Sequence, residues 1–172
     1  MITHRIRTAN DIPFRRPEFS IPFAHRDIVQ KELDTLLRDG VITYSNNPYN
    51  NSLLPIVKTL PDGSQKVRFI LDLRQINAIS TYDSYPLPCF NSIIHQLGNA
   101  KIFSKLDMKK SYFQIPLHPD DCHKTAFSAL SEKYHFLRTH QGLHSAPATQ
   151  TRLICFYEVY YTIGFSHTLT TC

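Results

Sequence analysis

Apolar residues recur along this chain with two different periods, and the places where the period changes mark out the elements. Between Asp27 and Arg38 the apolar positions Val29, Leu33, Leu36 and Leu37 fall on one face of a helical wheel, and Gly40 follows where a helix C-terminus favours glycine. From residue 66 the period drops to two. Val67, Phe69, Leu71 and Leu73 point one way, and Lys66, Arg68, Ile70 and Asp72 the other. This strand (66–73) pairs with LLPIVK (53–58) as a hairpin, because Pro61-Asp62-Gly63 between them is a turn sequence. SNNPYNNS (45–52) reads as a polar loop. The pattern then predicts a helix over 90–97 ended by Gly98, and a strand at 102–107. Further strands are expected at 113–117, 124–129 and 134–139, and a helix starting at Ser145 with Pro147 in its first turn. Residues 1–22, with Pro13, Pro17 and Pro22 among polar and basic residues, read as a loose extended lead-in. Helices and strands in this order make an α+β fold rather than a repeating βαβ series.

Composition narrows the class. The 172 residues are 42% hydrophobic and 12% aromatic, enough for a packed core and against disorder. A formal charge of +5 suits a polyanionic partner. No apolar run reaches membrane-helix length and the N-terminus lacks the apolar stretch of a signal peptide, so the expectation is an intracellular protein, cytoplasmic or nuclear, with no membrane partner. The four cysteines form no CxxC pair. His118, Cys122 and His123 cluster in LHPDDCH without a fourth ligand at metal-site spacing, and HPDD reads as an exposed turn.

Candidate chemistry centres on Asp107, at the end of the strand 102–107 and five residues before the aromatic pair Tyr112-Phe113. A carboxylate at a strand end can hold a divalent metal against a phosphate. Arg68 and Asp72 share a face of their strand, with Arg74 just beyond.

Separate blocks in order carry a resemblance: KELDTLLRDGVITYSNNPYN, VRFILDLRQIN, YDSYPLPCFNSIIHQLGNAKIFSKLD, KTAF and QGLHSAPAT. Together they resemble the reverse transcriptases of gypsy-type LTR retrotransposons and retroviral-like Pol polyproteins. The resemblance implies right-hand polymerase fingers plus an incomplete ferredoxin-like palm over residues 23–154, with a divergent tail at 155–172. It also implies templated DNA synthesis through two magnesium ions, on an RNA or DNA template with primer and deoxynucleoside triphosphates. Asp107 then resembles the first catalytic, metal-binding aspartate, with the Met108 carbonyl as a further ligand. Arg68, Tyr112, Phe113 and Gln141 resemble nucleotide-binding residues. Tyr112 would reject a 2′-hydroxyl, and the Arg68 fork suits phosphate oxygens. Asp72, Arg74, Asn77 and Gly142 resemble template-supporting positions. A fingertip lysine is implied as well, and both Lys58 and Lys66 lie near the turn. Gln141 matches retroviruses better than gypsy-type elements, which more often carry phenylalanine there.

The chain departs from the family in one large respect. The Tyr-x-Asp-Asp turn that supplies the remaining carboxylates is absent, and the ending reads as a polymerase truncated before that hairpin. The expectation is therefore a reverse transcriptase fragment inactive as an isolated chain. The alternatives are a nucleic-acid-binding module without catalysis and a non-functional remnant of a decayed element.

Overall fold

The computed structural model describes residues 2–86, 95 and 108–161. Asp107, the strand expected at 102–107 and nearly all of the helix expected at 90–97 lie outside them. Helix α1 (Arg26–Arg38) buries Val29, Leu33 and Leu36, and Leu37 packs on the rim of the same core. Gly40, at φ +63°, closes it. A left-handed residue just past the last turn costs glycine no Cβ clash.

Among the described residues five strands follow: β1 (Ile42–Tyr44), β2 (Asn51–Thr59), β3 (Gln65–Asp72), β4 (Phe127–Ala129) and β5 (Glu132–Phe136). They form one sheet in the order β1-β5-β4-β2-β3, antiparallel except for the β2–β4 pair. The β2–β3 hairpin runs from Ser52↔Asp72 to Thr59↔Gln65. Its turn holds Gly63 at φ +80°, and the Asp62 carboxylate accepts from Ser64 N at 2.9 Å and Ser64 Oγ at 2.6 Å. Short helix α2 (Arg74–Ile79) leaves β3, α3 (Pro119–Cys122) precedes β4, and α4 (Ala146–Tyr161) begins directly after Ser145. The buried face of α1 shares one core with Leu53, Val67, Leu71, Phe127, Tyr134 and Phe136.

Several elements differ from the sequence expectation. The stretch 113–117 is no strand: a 3-10 turn covers Ser111–Gln114, and isolated bridges then join Pro116 to Arg138 and Leu117 to His4. The strands at 124–129 and 134–139 are shifted or shortened to β4 and β5, because a 3-10 turn takes up His123–Thr125. The polar run 45–52 is a loop only as far as residue 50, and much of it is buried. Asn51 and Ser52 open β2, and Ser45, Asn50, Asn51 and Ser52 are all buried. Their polarity is consumed locally. Asn51 Nδ2 donates to the carbonyls of Lys124 and Ala126 at 2.9 Å each, Ser52 Oγ donates to Pro17 O at 2.7 Å, and Asn50 Nδ2 donates to Arg16 O at 2.8 Å.

The lead-in is extended but docked. His4 N donates to Pro116 O and His118 N to His4 O, both at 2.9 Å, so the chain crosses beside residues 116–118. Ile6 and Ile21 are buried. The HPDD segment is not an exposed turn at its second aspartate. Asp121 is 2% exposed on α3 and takes three donors: Arg5 Nε at 2.8 Å, Lys124 Nζ at 2.8 Å and Ile6 N at 3.1 Å. Among the described residues no helix is long and apolar enough to cross a membrane.

Candidate nucleic-acid interface

The pleat of β3 sends Arg68 and Ile70 outward while Val67 and Leu71 enter the core. Cross-strand register adds Lys58 opposite Lys66 and Ile56 opposite Arg68. Two lysines facing each other repel, a cost that an anion between them would relieve. One face of the hairpin therefore presents Lys58, Lys66 and Arg68, with Ile56 and Ile70 (43% and 42% exposed) between the charges.

The turn after β5 brings Gln141 to this face. Arg68 Nη2 donates to Gln141 Oε1 at 2.8 Å. The partner is a neutral amide, so the bond orients the guanidinium without cancelling its charge. Gln141 is set from below by His140, 4% exposed, whose ring lies 4.6 Å from that of Phe136 and whose Nδ1 donates to the Gln141 carbonyl. Burial pushes the His140 imidazole down to about 4, so it is neutral at ordinary pH. Gly142 follows at φ +105°, in a conformation that side-chain-bearing residues rarely adopt.

Asp72, Arg74 and Asn77 divide into two pairs. Asp72 and Arg74 form a two-bond ion pair, Nε to Oδ1 at 2.8 Å and Nη2 to Oδ2 at 2.7 Å. The Arg74 hydrogen bonds hold the Asp72 carboxyl at about 2 against partial burial, and Arg16 adds to the pull. Asp72 thus answers Arg74 and not Arg68. Asn77 Nδ2 donates to Gly142 O at 2.7 Å, and Asn77 Oδ1 accepts from His144 N at 3.1 Å. The structure therefore joins Arg68 to Gln141 and Asn77 to Gly142, tying the end of β3 and α2 to the 140–144 turn.

Tyr112 and Phe113 sit on the 3-10 turn rather than alternating along a strand. Both are half-buried. Phe113 stacks toward Phe136 and His140, each at 6.2 Å between ring centroids, and burial raises the Tyr112 phenol above its ordinary value. Met108 is half-buried, and Asp107 lies outside the described residues. The two-metal site implied by the resemblance needs several carboxylates together. Among the described residues no group of three or more His, Cys, Asp or Glu is placed to hold a metal ion, so the donors on view do not make that site. His118, Cys122 and His123 are used separately. His118 Nδ1 accepts from Asp120 N, Cys122 Sγ donates to His118 O, and His123 Nε2 stands 3.5 Å from Asp11 Oδ1.

Sequence reasoning missed His140 and His144 as supports of the Gln141–Gly142 turn. The signal was present, since both flank Gln141-Gly142-Leu143, but a histidine in a turn carries no periodicity to mark it as buried.

Comparisons with known proteins give the family and the fold. Residues 58–156 match the family described as Reverse transcriptase (RNA-dependent DNA polymerase). The chain is 39% identical over 150 residues to the retrovirus-related Pol polyprotein from transposon opus of Drosophila melanogaster, covering 87% of this chain and 15% of that one. It is 35% identical over 155 residues to the Pol polyprotein from transposon gypsy of the same organism, covering 89% and 15%. The chain thus spans 15% of the length of these relatives. In fold it is similar to the prototype foamy virus protease-reverse transcriptase, with TM-score 0.76 at 24% identity, covering 97% of this chain and 22% of that one. The foamy viral enzyme in complex with an RNA/DNA hybrid gives TM-score 0.74 at 20% identity over the same shares.

Proposed function

Because the chain belongs to the reverse transcriptase family, as a portion of a retrotransposon Pol polyprotein, we propose that it forms the fingers and first part of the palm of an RNA-directed DNA polymerase. In this reading it grips an RNA or DNA template with its primer and a deoxynucleoside triphosphate. The observation that carries the reading is the Arg68–Gln141 bond. It aims outward a guanidinium that has no carboxylate partner among the described residues, from a face that also holds Lys58 and Lys66. Oriented donors with undischarged positive charge suit phosphate oxygens, and the planar fork of arginine matches them better than an ammonium does. Asn77 and Gly142 would fix the height of the Gln141 turn, and Tyr112 would meet the sugar.

These 172 residues alone are expected to bind but to polymerise little or not at all. The only adjacent carboxylates after Asp107 are Asp120 and Asp121. Asp121 is buried with its oxygens already taken by Arg5, Lys124 and the Ile6 amide, so only the exposed Asp120 of the pair is open to a metal, and the two do not act together. When bound in the complete family site, divalent metal supplies charge stabilisation at the transferring phosphate. A primer-extension assay on the purified chain with magnesium tests this. Extension at background level is expected. Robust extension that Asp107→Asn abolishes would overturn the inactivity, and absence of salt-sensitive binding to primer–template would overturn the gripping role.

A further inference from the structure

Beside the Asn77–Gly142 junction stands an aromatic pair that the proposed function leaves unused. Tyr82 is 72% exposed. Its ring nevertheless lies flat against the His144 imidazole, with centroids 5.6 Å apart and 9° between the planes. His144 is fixed in turn: Asn77 Oδ1 accepts from its backbone N at 3.1 Å and lies 3.2 Å from its Nδ1.

The chain on both sides of Tyr82 is pinned as well. Thr81 N donates to Arg7 O at 2.7 Å, and Ser80 bridges to Thr8. Asp83 accepts two bonds from Arg152, at 2.6 and 2.8 Å. A large ring lying parallel and offset to a second, anchored ring, and 72% exposed, keeps most of its surface open to a third flat group.

Charge near the platform has the sign a nucleic acid needs. The Asp83 carboxylate is occupied by Arg152. Arg7 is exposed, lends its carbonyl to Thr81, and lies close enough to help pull the Asp83 carboxyl down. The contacts run without a break from Arg68 through Gln141, Gly142, Asn77 and His144 to Tyr82. A strand whose phosphates lie on the Arg68 face would thus meet an open aromatic surface at the far end of this run. Stacking on aromatic rings flanked by cations is how proteins hold unpaired bases irrespective of sequence.

We propose that Tyr82, backed by His144, is a stacking platform for an unpaired nucleobase of the strand held on the Arg68 face. This rests on the nucleic-acid reading above and adds to it a base contact where that reading has phosphate and sugar contacts.

The chain contains no tryptophan, so Tyr82→Trp installs a single indole reporter at the platform. With the full chain, a single-stranded oligodeoxynucleotide should quench its emission, while an abasic oligomer of equal length should not. Free deoxynucleoside triphosphate should also leave it unchanged. In an anisotropy titration, Tyr82→Ala should weaken binding of the base-bearing oligomer about tenfold, Tyr82→Phe should bind like the parent, and the abasic oligomer should bind both equally. Equal affinity of Tyr82→Ala and parent for the base-bearing oligomer overturns the platform while leaving the grip intact. So does an equal loss on both oligomers, or equal quenching by free triphosphate. No binding of either oligomer by the parent at low salt overturns the nucleic-acid reading, and the platform with it. Tyr82 is exposed, and matching thermal melts of the variants would show that packing is unaltered.

Discussion

At the scale of single residues, the site is set by which charges are already answered. Arg74 is spent on Asp72, Arg152 on Asp83 and Lys124 on Asp121, whereas Arg68 is held by an amide. Arg68→Ala should therefore weaken nucleic-acid binding and lower the slope of log affinity against log salt by about one, because one phosphate contact is lost. Arg68→Lys should restore the slope without the full affinity, and titrations at several salt concentrations separate the two. Two buried histidines set the pH response. Burial pushes His4 and His140 down to about 4 from an ordinary 6.5. The unfolded chain takes up their protons near pH 6.5 and the folded chain only near pH 4, so the unfolded state binds more protons between these values. The histidine contribution should be full above about pH 6.5 and decline as pH falls to about 4, by up to about 3 kcal/mol for each histidine, and below that Asp72, held at about 2, carries the decline further into acid. Urea melts across that range, with His140→Gln flattening part of the slope, check the assignment.

At the scale of elements, the two hairpins show what a sequence discloses and what it hides. The β2–β3 hairpin was legible because Pro61-Asp62-Gly63 supplies a glycine where φ is positive and an aspartate to accept from Ser64. Helix α1 was legible from its single apolar face. The β4–β5 hairpin was not. Its two-residue connection, Leu130 at φ 51° and Ser131 at φ 70°, has the double left-handed geometry that normally calls for Asn-Gly. Leu130 accepts that geometry because its N–H is held by Glu18 Oε1 at 2.9 Å, a contact 112 residues away in sequence. Ser131→Gly should accordingly relieve strain and raise stability by about 1 kcal/mol, read from denaturant midpoints. The absent strand at 113–117 and the shortened one at 124–129 have the same origin. Short apolar runs fit a strand and a 3-10 turn equally well, and tertiary contacts decide between them. Within the site, Arg68 and Asp72 were readable from strand alternation, but the Arg68–Gln141 and Asn77–Gly142 bonds join residues 73 and 65 apart and no local pattern encodes them.

At the scale of the molecule, the docked lead-in makes the N-terminal residues part of the core, and Asp121 is where it is fastened. Asp121→Ala would leave Lys124 buried without its carboxylate and free Arg5 and the Ile6 amide, so a loss of about 3–5 kcal/mol is expected in urea melts. A cooperative two-state melt of the parent chain would weigh against a decayed remnant, and a gradual one would favour it. The lead-in also gives the fold a history in time. His4 bonds Thr149 Oγ1 at 2.8 Å, and the two are 145 residues apart in sequence. At the usual ~5–20 residues per second of synthesis, His4 waits roughly 7–30 s for that partner. For that interval the face of the lead-in that carries His4 lacks this partner and stays open to chaperones and proteases.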